Sequence, residues 1–179
     1  ERMQLHRSHG VTRNSKFMTR ASEGGWYYQQ VYLGFNYRMT ELQAALGISQ
    51  MKRLDDFVAK RHTFQKRYEL LLAEQPIITP FQDKNSYSAL HLYPIQIDFE
   101  KVKKSREYIF NKLRESGIDV NVHYIPIHTQ PYYQDLGFKK GDFPQSEVYY
   151  NNEISIPLFH TMTSEYQNQV AKILDSLLQ

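Results

Sequence analysis

Cysteine is absent from all 179 residues, which excludes disulfides, thiolate metal sites and cysteine nucleophiles together. No long apolar run or leader-like pattern occurs, so the expectation is a cytoplasmic chain with no membrane partner. The net charge is only +3, too small to point to nucleic acid. Basic residues do gather near the start (Arg2, Arg7, Arg13, Lys16, Arg20), but no stacking-platform motif accompanies them, and they read as a solvated segment. What the chain has is aromatic side chains, with 14 Tyr and 10 Phe. Tyrosine suits half-wet surfaces such as sugar sites and subunit interfaces, although ordinary core and rim positions account for most tyrosines. The length fits one domain, or one domain with an appendage, and suffices to bury a core without staples.

The first residues read as the middle or end of a helix, stopped by Ser8-His9-Gly10. Residues 11–33 show neither helical nor strand periodicity and are expected to be a long loop. Thr40 and Gln43 have the spacing of a capping box. Apolar residues at helical spacing then predict one long helix over 40–74, straight or bent, ended by Pro76. Beyond Pro80 the pattern changes. A strand is expected over 90–97, with Pro94 demoting it towards an edge. A helix follows over 102–116 and is closed by Gly117. Strands are expected over 118–124 and 153–157, and a last helix begins at a Thr163 or Ser164 cap. Helices over a small sheet make an α/β unit.

The chemistry concentrates in two places. The first is the run Gly34-Phe35-Asn36-Tyr37-Arg38-Met39, leading directly into the capped helix. Asn36 and Arg38 offer directed N–H donors that suit a phosphate or another anion. The plainer reading gives Asn36 a turn role and Arg38 a surface ion pair. The second is His123-Tyr124-Ile125-Pro126-Ile127-His128, followed by Tyr132-Tyr133. A strand end there could present an imidazole, a phenol and a second imidazole to a sugar or its nucleotide. No carboxylate or cysteine stands at ligand spacing beside His123 and His128, so no metal site is expected. A plainer reading makes His128 a strand-end histidine bonded to backbone.

These two segments, together with Arg7-Ser8-His9-Gly10, resemble in order and spacing the C-terminal half of the DegT/DnrJ/EryC1/StrS sugar aminotransferases. The resemblance spans essentially the whole chain. It implies an α/β fold, the C-terminal part of the type I aspartate-aminotransferase architecture that depends on pyridoxal phosphate. On that basis residues 1–39 would be the tail of the large cofactor-binding domain, 40–75 a long interdomain helix, and 76–179 the small C-terminal α/β domain.

The resemblance further implies transfer of an amino group from L-glutamate to a 4-keto-6-deoxy nucleotide sugar. The sugar would be UDP-linked and destined for a surface glycan or pseudaminic acid. A homodimer with shared active sites is implied, with Asn36 and Arg38 serving the cofactor of the other subunit. Tyr37 would pack beneath that loop, and His123, Tyr124 and His128 would meet the substrate. The family's cofactor-carrying lysine lies in a Ser-x-His-x-x-Lys context ahead of the Arg-x-His-Gly segment. Lys16 comes after that segment and does not correspond to it. The expectation is therefore a fragment without its own catalytic residue and inactive alone. The competing expectation is a non-catalytic dimerisation or carbohydrate-binding domain.

Overall fold

A computed structural model of the chain describes residues 2–179. The chain divides at Arg53 into two compact units. None of the helices among the described residues is long and apolar enough to cross a membrane.

The first unit opens with α1, Arg2–His6. Its two-residue strands β1, Val11–Thr12, and β2, Gln29–Gln30, pair antiparallel, with Val11 opposite Gln30 and Thr12 opposite Gln29. This ribbon lies inside the stretch expected to be irregular. Buried Gln29 holds the intervening segment by accepting from the Thr19 amide (2.8 Å) and donating to the Arg20 carbonyl (3.3 Å). Gly10 sits at φ 70°, and a Cβ there would meet the Tyr32 carbonyl oxygen at 1.8 Å. A Cβ on Gly34 would lie 2.2 Å from the Gly10 nitrogen. Both glycines are needed because two backbone segments pass at contact distance.

The helix α2, Glu41–Met51, begins at the expected capping box: the Gln43 amide donates to Thr40 Oγ1, and Gln43 Oε1 accepts from the Thr40 amide. It buries no residue. The second unit begins with α3, Leu54–Leu71. The single helix expected over 40–74 is thus two helices broken at Lys52-Arg53. At the break the Arg53 amide turns back to the Gln50 carbonyl (3.0 Å), a tightened last turn. Asp55 and Asp56 then occupy the first turn of α3, where acidic side chains favour a fresh helix start.

The second unit is built on a three-stranded antiparallel sheet in the order β3-β4-β5, formed by Ile77–Ile78, Tyr93–Ile97 and Glu153–Ile156. Tyr93, Ile95 and Ile97 alternate into the core. Pro94 therefore lies in the middle strand rather than an edge strand, and the register explains why it is tolerated. Ser155, opposite Pro94, exchanges both backbone hydrogen bonds with Asn121 on its other side. Pro94 and Ser155 are a non-hydrogen-bonded pair, so the missing N–H faces the β3 side, where β3 reaches only Gln96 and Ile97.

The strand expected over 118–124 reduces to that one Asn121–Ser155 bridge. The next two backbone donors go to side chains instead of a ladder: the Val122 amide to Asn121 Oδ1 and the His123 amide to Glu153 Oε2, both at 2.8 Å.

Helices complete the layer. The short α4, Phe99–Val102, and α5, Arg106–Glu115, replace the one helix expected over 102–116, because Lys103 turns left-handed (φ 55°) and Ser105 caps α5 afresh. A 3₁₀ turn at Ile127–Thr129 leads into α6, Pro131–Asp135, and α7, Pro144–Asn152. The last helix, α8, Ser164–Leu178, is capped by Thr163. Both α3 and α5 contact α8. Polar bonds lock α3 to α8: Gln167, fully buried, donates to the Phe64 carbonyl (2.7 Å), and Arg67 donates to Gln167 Oε1 (3.0 Å). The Tyr68 hydroxyl donates to the Pro157 carbonyl just past β5, and its ring stacks on Tyr93 at 5.2 Å. Burial pushes the phenols of both tyrosines above their ordinary range.

Leu174 has no exposed surface, whereas Leu70 on α3 is 80% exposed. Leu174→Ala should cost about 2–5 kcal/mol of unfolding free energy. Leu70→Ala should stay within about 0.5 kcal/mol. Urea denaturation followed by circular dichroism reads both, and equal costs would contradict this core assignment.

Candidate functional site

In the first unit, the 34–38 segment is pinned by backbone hydrogen bonds to residues 6–9. The His9 amide donates to the Phe35 carbonyl and the Tyr37 amide to the Arg7 carbonyl, both at 2.9 Å, and Ser8 bridges Asn36 antiparallel. Side chains alternate along this extended run. Phe35 and Tyr37 stack with centroids 5.0 Å apart and planes 9° from parallel. Asn36 and Arg38 share the opposite parity, and neither side chain makes a hydrogen bond among the described residues. Both are exposed. Arg38 lines an open cleft of about 570 Å³ with Ser8, His9, Val11, Tyr28 and Gln30. Tyr37 is 73% exposed, so it stacks on Phe35 in the open and does not pack beneath the loop as expected. A tethered backbone presenting an amide and a guanidinium is suited to an anion.

In the second unit, His123 lines a cavity of about 420 Å³ whose polar wall includes His91, Arg114, Asp119, Asn121 and Ser155. Arg114 and Asp119 form an ion pair at 2.7 Å. His123 Nδ1 lies 2.8 Å from Ser155 Oγ, which donates to Glu153 Oε1 at 2.6 Å. Tyr124 sets its ring edge-on to His123 with centroids 4.6 Å apart, and is 71% exposed. The adjacent rings of His123 and Tyr124 are thus held against each other. The structure adds two residues that sequence reading left inside a plain strand, Glu153 and Ser155. The available signal was a carboxylate alternating with isoleucines in a short strand, Glu153-Ile154-Ser155-Ile156, because a buried charge needs partners.

His128 is placed elsewhere. It is buried, its Nε2 lies 2.8 Å from Glu147 Oε1, and its ring packs on Phe143 at 4.9 Å. Glu147 also accepts from the Gly141 amide at 2.6 Å. His128 faces a separate, aromatic-lined cavity of about 340 Å³ with Ile127, Tyr133, Phe138, Phe143 and Ser146. Its bonding partner is a carboxylate and not the backbone. Together the pair clamps the 3₁₀ turn, the loop around Gly141 and α7.

The fold is α/β and matches the C-terminal part of the type I, pyridoxal-phosphate-dependent aminotransferase architecture. The chain belongs to the DegT/DnrJ/EryC1/StrS aminotransferase family, whose profile matches residues 1–175. It is 36% identical over 162 residues to the spore coat polysaccharide biosynthesis protein SpsC of Bacillus subtilis, covering 89% of this chain and 42% of that protein. It is 33% identical over 175 residues to the UDP-4-amino-4,6-dideoxy-N-acetyl-beta-L-altrosamine transaminase of Helicobacter pylori, covering 96% and 43% respectively.

Among solved structures, Spr1654 from Streptococcus pneumoniae in its PMP form superposes with a TM-score of 0.85 at 26% identity, covering 98% of this chain and 43% of that one. Spr1654 is also known in a PLP form. Helicobacter pylori PseC, an aminotransferase involved in the biosynthesis of pseudoaminic acid, superposes with a TM-score of 0.83 at 28% identity, covering 98% and 45%. The chain spans less than half the length of these relatives.

The His128–Glu147 clamp has a pH signature. Hydrogen bonding to His128 first, and to the Gly141 amide second, holds the Glu147 carboxyl below its ordinary value of 4.5. A depressed folded value means the stabilisation is complete above the unfolded carboxyl's titration and fades as pH falls through the folded one. Urea midpoints should therefore fall with acidification below the ordinary glutamate range, and Glu147→Gln should flatten that part of the profile. An unchanged profile in the variant would show that the clamp carries no linked proton.

Proposed function

We propose that the protein containing this chain is a cytoplasmic, homodimeric aminotransferase that moves an amino group from L-glutamate to the keto carbon of a UDP-linked 4-keto-6-deoxy sugar. Family membership supports the reaction class, and the Helicobacter pylori relative supports the substrate class. The observation that carries the reading is the tethered loop with two uncommitted donors, Asn36 and Arg38. An exposed amide and guanidinium on a fixed backbone fit the phosphate of pyridoxal phosphate, so the donor set agrees with the family's cofactor. When bound, that cofactor supplies the electron sink of amino transfer.

The roles of this chain's residues follow. Asn36 and Arg38 hold the cofactor phosphate of the partner subunit. His123 and Tyr124 orient the nucleotide sugar by hydrogen bonding and ring contact. His128 keeps its neighbouring loop in place through Glu147, contributing to the substrate side by shape.

The test is to incubate the intact protein with pyridoxal phosphate, L-glutamate and a UDP-linked 4-keto-6-deoxy sugar, and to weigh the product. The expected mass is that of the 4-amino sugar, with 2-oxoglutarate formed in equal amount. Absence of both products with a folded, cofactor-loaded protein would overturn the reading and favour a non-catalytic dimerisation or carbohydrate-binding module.

Asn36→Ala in the intact protein should weaken cofactor retention by about 1.5–3 kcal/mol, the range for a hydrogen bond to a charged group. That is a rise in dissociation constant of roughly tenfold to a hundredfold. Equilibrium dialysis against pyridoxal phosphate measures it. An unchanged constant would leave Asn36 as a turn residue only.

A further inference from the structure

The strand β5 carries a hydrogen-bond relay whose direction is fixed by its buried end. Glu153 has no exposed surface, and Ser155 is only 6% exposed. Each carboxylate oxygen of Glu153 meets one donor. Oε2 accepts from the His123 backbone amide at 2.8 Å, and Oε1 accepts from the Ser155 hydroxyl at 2.6 Å. A serine hydroxyl has one proton to give. With that proton committed to Glu153, Ser155 Oγ turns a lone pair towards His123 Nδ1, 2.8 Å away. A lone pair there demands a proton on Nδ1. The opposite polarity would require a proton on the buried carboxyl itself, and Oε2 would still face a backbone N–H.

We propose that Glu153 and Ser155 are positioning residues that fix His123 as its Nδ1–H tautomer, leaving Nε2 as a lone-pair acceptor for a hydroxyl or amide N–H of the sugar. Which imidazole nitrogen carries the proton is set by the partner of the other nitrogen. His123 Nε2 makes no hydrogen bond among the described residues, and the ring lines the cavity of about 420 Å³. A lone pair at Nε2 is mismatched to phosphate oxygens, which are acceptors themselves, and matched to the O–H and N–H groups of a sugar. His123 thereby selects on the sugar ring and not on the diphosphate. The glutamate also anchors the His123 backbone, so one carboxylate sets both the position and the protonated nitrogen of the same residue. The ligand class rests on the function proposed above, whereas the tautomer does not.

The test reads the tautomer directly. The intact protein, labelled with ¹⁵N at histidine, is recorded in a long-range ¹H–¹⁵N correlation spectrum at a pH where the ring is neutral. His123→Gln identifies the His123 cross-peaks. The expected result is the Nδ1–H pattern in the wild type, and its loss to a mixed or Nε2–H pattern in Glu153→Gln. That variant keeps the shape of the side chain but leaves one acceptor oxygen for two donors: with that oxygen on the His123 backbone amide, its NH2 donates to Ser155 Oγ and releases the serine proton towards Nδ1. Ser155→Ala should give the same loss if Glu153→Gln does not fold. An Nε2–H pattern in the wild type would overturn the proposal without any variant. A folded Glu153→Gln that keeps the Nδ1–H pattern would overturn it as well. A wild type with the Nδ1–H pattern, in a protein that fails to aminate the sugar, would sink the function reading and leave the relay standing.

Discussion

The antiparallel register between β4 and β5 is the constraint on which the second unit depends. With Tyr93 opposite Ile156 and Ile95 opposite Ile154, the isoleucines of β5 fall on the core face beside Tyr93 and Ile95. The alternate residues, Glu153 and Ser155, then fall on the other face, where His123 meets them. A slip of one residue would exchange the two sets. It would put a carboxylate against the core helices, at a cost far above that of a misplaced methyl group. The hydrophobic core and the polar relay are thus specified by a single choice, and each penalises errors in the other.

The first unit is organised differently. It buries little, and its order comes from backbone closure. Gly10 and Gly34 let two segments touch, and hydrogen bonds from residues 35–37 to residues 6–9 fix the loop that carries Asn36 and Arg38. A donor site gains from this arrangement. The side chains stay uncommitted while the backbone beneath them is held, so an anion bound there would order less of the chain.

Much of this was legible from sequence where the signal is local. The Thr40/Gln43 capping box, the Thr163 cap, the stop at Gly117 and the ordered family motifs each depend on residues a few positions apart. The signals that failed depend on long-range partners. Nothing around Pro94 says that Ser155 spends its backbone groups on Asn121, which is what admits a proline to a middle strand. The helix break at Lys52-Arg53 has no glycine or proline to mark it, only the pair of aspartates that follows. His128 stands in a site-like motif, and its Nε2 partner Glu147, nineteen residues away, is beyond the reach of local pattern. Glu153 was readable as a strand residue but not as the base of a relay, since the His123 amide and imidazole that complete it lie thirty residues away, outside β5.

Through the proposed relay, the β5 register makes His123 an acceptor for the sugar. The most direct measurement is a crystal structure of the intact protein holding pyridoxal phosphate and a UDP-linked 4-keto-6-deoxy sugar. The expected result is a sugar hydroxyl or amide nitrogen within hydrogen-bond distance of His123 Nε2, with Ser155 Oγ still bridging Nδ1 and Glu153. A nucleotide sugar bound in the active site without touching His123, or with a phosphate oxygen on Nε2, would contradict it.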